Sequence, residues 1–236
     1  MALGLAEKTR IRWQPPGGNW RTFALRNVVL HLGLLLFGLA LALGYRANLG
    51  LNAWGIFQIA LTRYIPLTYG QVTILVGFAM LLISWLSGIT PGFGTVCNMV
   101  FVGIWLDFFS AHLPQPKQLL LALLMLVAGV VLLGWASAIY LKAGLGAGPR
   151  DSFMLAVMHW THWRVGLARG VIEGAVFVVG GLLDHSQIGI GTLAFTFGIG
   201  PVLEWAFRVL KVRPTAKMRA AEEPAEAVVP IIGAAE

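Results

Sequence analysis

Few side chains in this sequence could do chemistry, and they sit where charge is costly. Glu173 falls near the middle of an apolar run, Val165–Leu183, among glycines and valines. A charge at the centre of a bilayer costs at least about 2.5–3.5 kcal/mol, so such a group faces the protein interior and needs a partner. Glu173 therefore reads as part of a substrate or proton site, as half of an ion pair with Arg150 or Arg169, or as an acid kept neutral by burial. Arg150 and Asp151 follow Pro149 at the start of a short apolar segment. An aspartate there suits the free N–H groups and the positive end of a helix. An arginine has no capping role at a helix start, so Arg150 is expected to hold an anionic group or to pair with Glu173. Asn52 and Trp54 occupy the corresponding place earlier in the chain. Glu173, Arg150, Asp151, Asn52 and Trp54 are the candidate substrate-binding residues.

No catalytic constellation accompanies them. The chain has no His-Glu-x-x-His, no Gly-x-Ser-x-Gly and no nucleophile–base pair at a usable spacing, so an enzyme is not expected. His159 and His162, three apart on a short segment, are weak metal ligands without a carboxylate partner. No metal or cofactor is expected. The single cysteine, Cys97, lies in an apolar run and supports neither a disulfide framework nor a zinc motif. Gly92-Phe-Gly94-Thr95 and Gly189-Ile-Gly191-Thr192 resemble phosphate loops but lack the lysine and the strand–loop–helix context. Close helix packing through small residues explains them better. Asn48, Gln58 and Asn98 suit hydrogen bonds between helices, with Asn52 the exception because it lies on an unwound stretch.

The elements that position these groups must be membrane helices. Hydrophobic residues make up 58% of the 236 and charged residues 11%, against about 25% charged in soluble domains. The net charge of +7 sits mostly in the tails and short loops, as positive-inside sorting requires, and not in a nucleic-acid patch. Six runs are long enough to cross: Val28–Tyr45, Tyr69–Ser87, Gly92–Phe109, Gln118–Leu141, Val165–Leu183 and Ile188–Phe207. Two more, Ala53–Thr62 and Ser152–Trp163, are too short, since roughly 13 helical residues reach only about 20 Å. Each follows a small-residue stretch of poor helix sequence, Arg46-Ala-Asn-Leu-Gly-Leu-Asn52 and Ala143-Gly-Leu-Gly-Ala-Gly-Pro149. Broken segments in equivalent places point to a binding site.

The equivalence comes from an internal repeat. A shift of 96 residues brings Leu49-Gly50 onto Leu145-Gly146, Phe57 onto Phe153 and Gly70 onto Gly166. A shift of 97 brings Gly92, Gly94 and Thr95 onto Gly189, Gly191 and Thr192, Gly103 onto Gly200, and Asp107 onto Glu204. The expected organisation is a basic arm over 1–26, mostly irregular, membrane repeats over 27–112 and 117–210, and a disordered tail over 211–236. The fold class is an all-α, polytopic membrane bundle of two pseudo-symmetric repeats. If the short helices re-enter, the chain crosses six times and the copies are inverted; if they span, it crosses eight times and the copies are parallel. Six is favoured on length. In the six-crossing scheme only Arg46, Arg63 and Lys117 fall outside, and either scheme puts both termini in the cytoplasm.

Leu145-Gly-Ala-Gly-Pro-Arg-Asp151, Glu173 in the next span, and Gly189-x-Gly-Thr192 with Ile199-Gly-Pro201 resemble the YczE-like membrane proteins, related to the YitT group. The resemblance runs from about Val28 to Leu210. It implies a protein of the bacterial cytoplasmic membrane and, by the usual supposition, transport or export. Family members often carry Pro-Trp-Asp in the first repeat; here the place reads Ala53-Trp54-Gly55, so no role of that aspartate carries over. The expected function is a small-molecule transporter or exporter with a site at the repeat interface. The alternative is a non-transporting accessory protein that binds a lipid or a partner subunit. The expected partners are the lipid bilayer and an unknown small molecule, not nucleic acid; a homo-oligomer is left open.

Overall fold

The computed structural model describes residues 20–211. The readings of 1–19 as a basic arm and of 212–236 as a disordered tail lie outside the described residues. The described residues form eight α-helices and no strand. They are α1 (Trp20–Ala47), α2 (Ala53–Thr62), α3 (Tyr69–Leu86), α4 (Phe93–His112), α5 (Leu119–Lys142), α6 (Pro149–Thr161), α7 (Val165–Leu183) and α8 (Ile190–Leu210). Six of them, α1, α3, α4, α5, α7 and α8, are long and apolar enough to cross a membrane.

Among the boundaries that differ from expectation, two have clear reasons. α1 starts at Trp20 and not near Val28, so the end of the basic arm is helical. Nothing between Trp20 and Arg26 breaks a helix, and the added turns stand largely exposed. α6 starts at Pro149 and not at Ser152, because the fixed φ of proline suits the first helical position, where its missing N–H is not needed.

α1 and α5 form the centre and pack along each other. Gly33 abuts Tyr140, and Gly129 abuts the Ala40 carbonyl and the Gly44 nitrogen. Small residues let the two backbones approach. α4 flanks α1, with Gly38 under Trp105 and His31 beside Phe101. α8 flanks α5 in the same manner, with Gly134 under Val202 and Trp135 against Trp205. The short helices then cross over: α2 packs on α7, where Phe57 covers Gly180, and α6 packs on α3, where Pro149 reaches Gly77.

The glycine motifs hold the loops before the short helices. Gly191 N–H donates to the Leu49 carbonyl at 2.7 Å, and Gly94 N–H donates to the Leu145 carbonyl at 2.8 Å. Thr192 and Thr95 each accept, through the hydroxyl, from the backbone N–H of the glycine three residues before. The loops therefore dock on the first turns of α8 and α4, and each docks on the other half of the chain. Both ends of α2 lie at one end of the bundle. Leu51 N–H donates to the Gln187 carbonyl before it, and Arg63 pairs with Asp184 after it at 2.8 Å. α2 thus turns back and adds no crossing.

Candidate functional site

The two short helices begin beside each other. α2 is capped by Asn52, whose side-chain carbonyl accepts from Gly55 N–H at 2.8 Å. α6 is capped by Gly148 with no side-chain cap. Arg150 is then the second residue of α6 and Asp151 the third, the acid standing in the positively polarised first turn. A cavity of about 450 Å³ opens where these helix starts meet. Its walls come from α1 and α3–α8 as well, including Phe37, Met80, Asn98, Tyr140 and Phe195. Asn52, Trp54, Arg150, Asp151 and Glu173 all line it.

Of the two cations expected to be able to pair with Glu173, the structure gives it Arg169 and not Arg150. Glu173 pairs with Arg169 one turn away, at 3.4 Å. Both side chains are about half exposed, at 59% for Arg169 and 48% for Glu173. Arg150 instead lies over the Trp54 ring, its guanidinium carbon 5.3 Å from the ring centroid. Among the described residues no carboxylate stands within 4 Å of it. The reason is geometric: Glu173 and Arg169 share one helix face at a spacing of four, so they meet at no cost in backbone order. Trp54 offers Arg150 a π face that a lysine would use less well.

Gln58, only 2% exposed, accepts from the Thr73 hydroxyl of α3 at 3.1 Å, a hydrogen bond between helices as expected of it. Sequence reasoning passed over other polar groups in the walls. Ser137, Tyr140 and Thr196 also face the cavity. Single hydroxyls in apolar helices carry no periodic signal, so only the fold brings them together. The ion pair Arg63–Asp184 was also unforeseen. Asp184 is 5% exposed and its carboxylate accepts from the Ser186 N–H at 2.9 Å and hydroxyl at 2.8 Å. Burial pushes its pKa up, but the Ser186 hydrogen bonds and the Arg63 charge more than offset that and hold it below the ordinary carboxylate range.

Residues 24–208 match a family described as a family of unknown function, DUF6198. The chain belongs to this family. It is 34% identical over 177 residues to the uncharacterized membrane protein YczE of Bacillus subtilis, covering 73% of this chain and 80% of that protein. It is 26% identical over 186 residues to an uncharacterized protein of Haemophilus influenzae, covering 79% of this chain and 85% of that protein. The uncharacterized protein YyaS of Bacillus subtilis is 26% identical over 184 residues, with 75% and 89% covered. No solved structure matches. The family match, the membrane relative and the six long apolar helices together make this an integral, YczE-like membrane protein. All eight helices, and therefore the cavity they enclose, fall within or at the edges of the matched stretch.

Proposed function

We propose that the protein is a small-molecule transporter or exporter of the bacterial cytoplasmic membrane, whose substrate carries an anionic group that docks on Arg150. The observation that carries this is Arg150 itself: a guanidinium held on Trp54 at the wall of a central cavity, with no carboxylate among the described residues within 4 Å, although Asp151 and Glu173 line the same cavity. A cation kept in such a place without a direct ion pair is costly unless a ligand or water completes its shell. The starts of α2 and α6, with their free N–H groups and positive dipole ends, line the same cavity. Broken helices that aim their N-termini at an anionic group near the midplane are a recurrent transporter device.

Duplication supports the same reading. The pairs α1–α4 and α5–α8, α2–α7 and α6–α3, and the two loop-docking sites repeat at the 96- and 97-residue shifts. We read the two halves as inverted repeats, because α2 turns back, with the site between them. The distribution of Lys and Arg supports a topology with both termini in the cytoplasm. The reading assigns no reaction to the protein. A second reading, an accessory protein that holds a lipid, is favoured by the open side of the cavity between α7 and α8.

A thermal-shift screen on purified protein tests the proposal. Ligand at 100 times its Kd stabilises the fold by about 2.7 kcal/mol. Acidic compounds are expected to raise the melting temperature of the wild type and to lose that effect in Arg150→Gln. Hits confined to cations, or acidic hits that Arg150→Gln still binds, would overturn it. Proteoliposomes that bind such a ligand but never move it would leave the accessory reading standing in its place.

A further inference from the structure

The two halves differ at one contact. In the first half, α3 and α4 are locked at one end. Gly70 N–H donates to Asp107 Oδ1 at 2.7 Å, and the Thr68 hydroxyl donates to Asp107 Oδ2. Gly70 and Gly103 are so close that a Cβ on either would strike the other's carbonyl oxygen. The second half carries Gly166, Gly200 and Glu204 at a spacing one residue longer, with Arg164 where the first half has Thr68. Gly166 is the second residue of α7, as Gly70 is of α3. Yet α7 and α8 share almost no packing. Cβ atoms built on Gly166, Gly170, Gly174 and Gly200 meet nothing within 4 Å. The first turn of α7 has no side-chain cap, and Glu204 is turned away to Arg208.

The cavity lies directly behind this gap. Arg169 and Glu173 on α7, and Thr196 and Gly200 on α8, are exposed and line it. The other end of α7 is tied down, because Gly180 sits on the Phe57 backbone and Asp184 holds Arg63. α7 is therefore tied to α2 at one end, while the other end, packed inward at Ala168, hardly meets α8 and carries unmatched latch parts.

We propose that the α7–α8 cleft is the lateral entrance of the cavity from the bilayer, and that Gly166, Gly200 and Glu204 form the latch that shuts it. In the shut state Glu204 leaves Arg208 and accepts the Gly166 N–H, as Asp107 accepts that of Gly70. The longer glutamate side chain spans the same contact with one methylene to spare. The cap satisfies an N–H group that the first turn of a helix otherwise leaves open. Resting on the reading of the cavity as an anion site, the entrance selects the substrate class: an amphipathic molecule with an apolar body that dissolves in the bilayer and an acidic head that reaches Arg150.

The test uses the full chain in nanodiscs with Cys97→Ala and new cysteines at Leu167 and Val209, both exposed and outside the latch contact. Spin–spin distances between labels there are expected to show a wide and a narrow population. Glu204→Ala and Gly166→Leu should remove the narrow one, and Glu204→Asp should keep it. A single wide population untouched by these variants overturns the latch. So does a distance between singly labelled molecules at Leu167, which would mean that a second copy fills the cleft. The ligand arm uses a fluorescent fatty acid, cis-parinaric acid, against its methyl ester. Joining the two cysteines with a short thiol cross-linker should slow exchange of the bound acid several-fold; equal exchange in both states overturns the entrance. Arg150→Gln should weaken the acid roughly tenfold to a hundredfold, the scale of one charge-assisted hydrogen bond, and leave the ester unchanged. A latch that moves while the acid ignores Arg150 overturns the anionic-site reading alone.

Discussion

Asp184 shows how one buried acid can organise a membrane protein from outside its spans. It accepts from both groups of Ser186, caps the 3-10 turn at His185–Gln187 and holds Arg63 at the end of α2. Its folded pKa lies below the ordinary value of about 3.9. A lowered folded pKa stabilises the fold fully above the unfolded value, and that contribution fades as pH falls through the folded value. Thermal stability is therefore expected to stay flat from neutral pH to near 4 with respect to this group, and to fall below that. Asp184→Asn should remove the acid-side fall and lower the melting temperature at pH 7. Arg63→Gln should cost less, about 1 kcal/mol, because the Arg63 side chain is largely exposed and its charge is screened. Melting curves from pH 3 to 7 check all three; an Arg63→Gln protein as stable as wild type would show that Ser186 alone holds the acid.

At the scale of elements, the two loop-docking sites are the most demanding geometry in the molecule. Gly50 and Gly146 have φ of +115° and +139°, a region that side chains rarely enter. A Cβ at Gly50 would also press on the Gly189 nitrogen and the Thr192 hydroxyl, and one at Gly146 on the Thr95 hydroxyl. Gly50→Ala and Gly146→Ala are each expected to cost about 2–3 kcal/mol, with similar losses because the sites are equivalent. Alanine at Gly144, where φ is +65° but nothing lies within 4 Å, should cost clearly less. Equal stability of all three variants by denaturant titration would contradict this account. The sequence made much of this legible. The spans, the short helices and the matched glycines follow from apolar run length and from self-comparison. What it hid was the partner of each glycine motif, because Leu49 and Gly191 meet only through folding across more than half the chain. It hid the charge pairing for a similar reason. Glu173 had two cations within plausible reach, and only the rotation of α7 decides for Arg169 over Arg150. The gap between α7 and α8 was invisible too, since the residues on either side of it match those of a contact that is closed in the first half.

The whole molecule is an exchange of parts. The first half supplies α2 to α7 and its Leu49 carbonyl to α8; the second half supplies α6 to α3 and its Leu145 carbonyl to α4. α1 and α5 seal the exchange down the middle. Neither half has a complete core alone, so a chain cut in the loop near Pro116 should yield two fragments that are degraded when made singly. Made together in one cell, they should assemble and co-purify, since the cut lies in a loop that no docking site uses. A first fragment that is stable by itself would contradict the exchange. The crossed loops also bear on birth in the membrane. Helices enter the bilayer in order as the ribosome delivers them, and α2 must wait for α7 and α8, more than a hundred residues later, before it has a seat. Until then a short helix with an uncovered loop rests near one membrane face with its backbone donors satisfied only by water. The half-made protein is therefore a natural client for whatever holds unfinished membrane chains, and a slow step in its synthesis is expected late, when Gly189–Thr192 arrives and the first loop closes onto it.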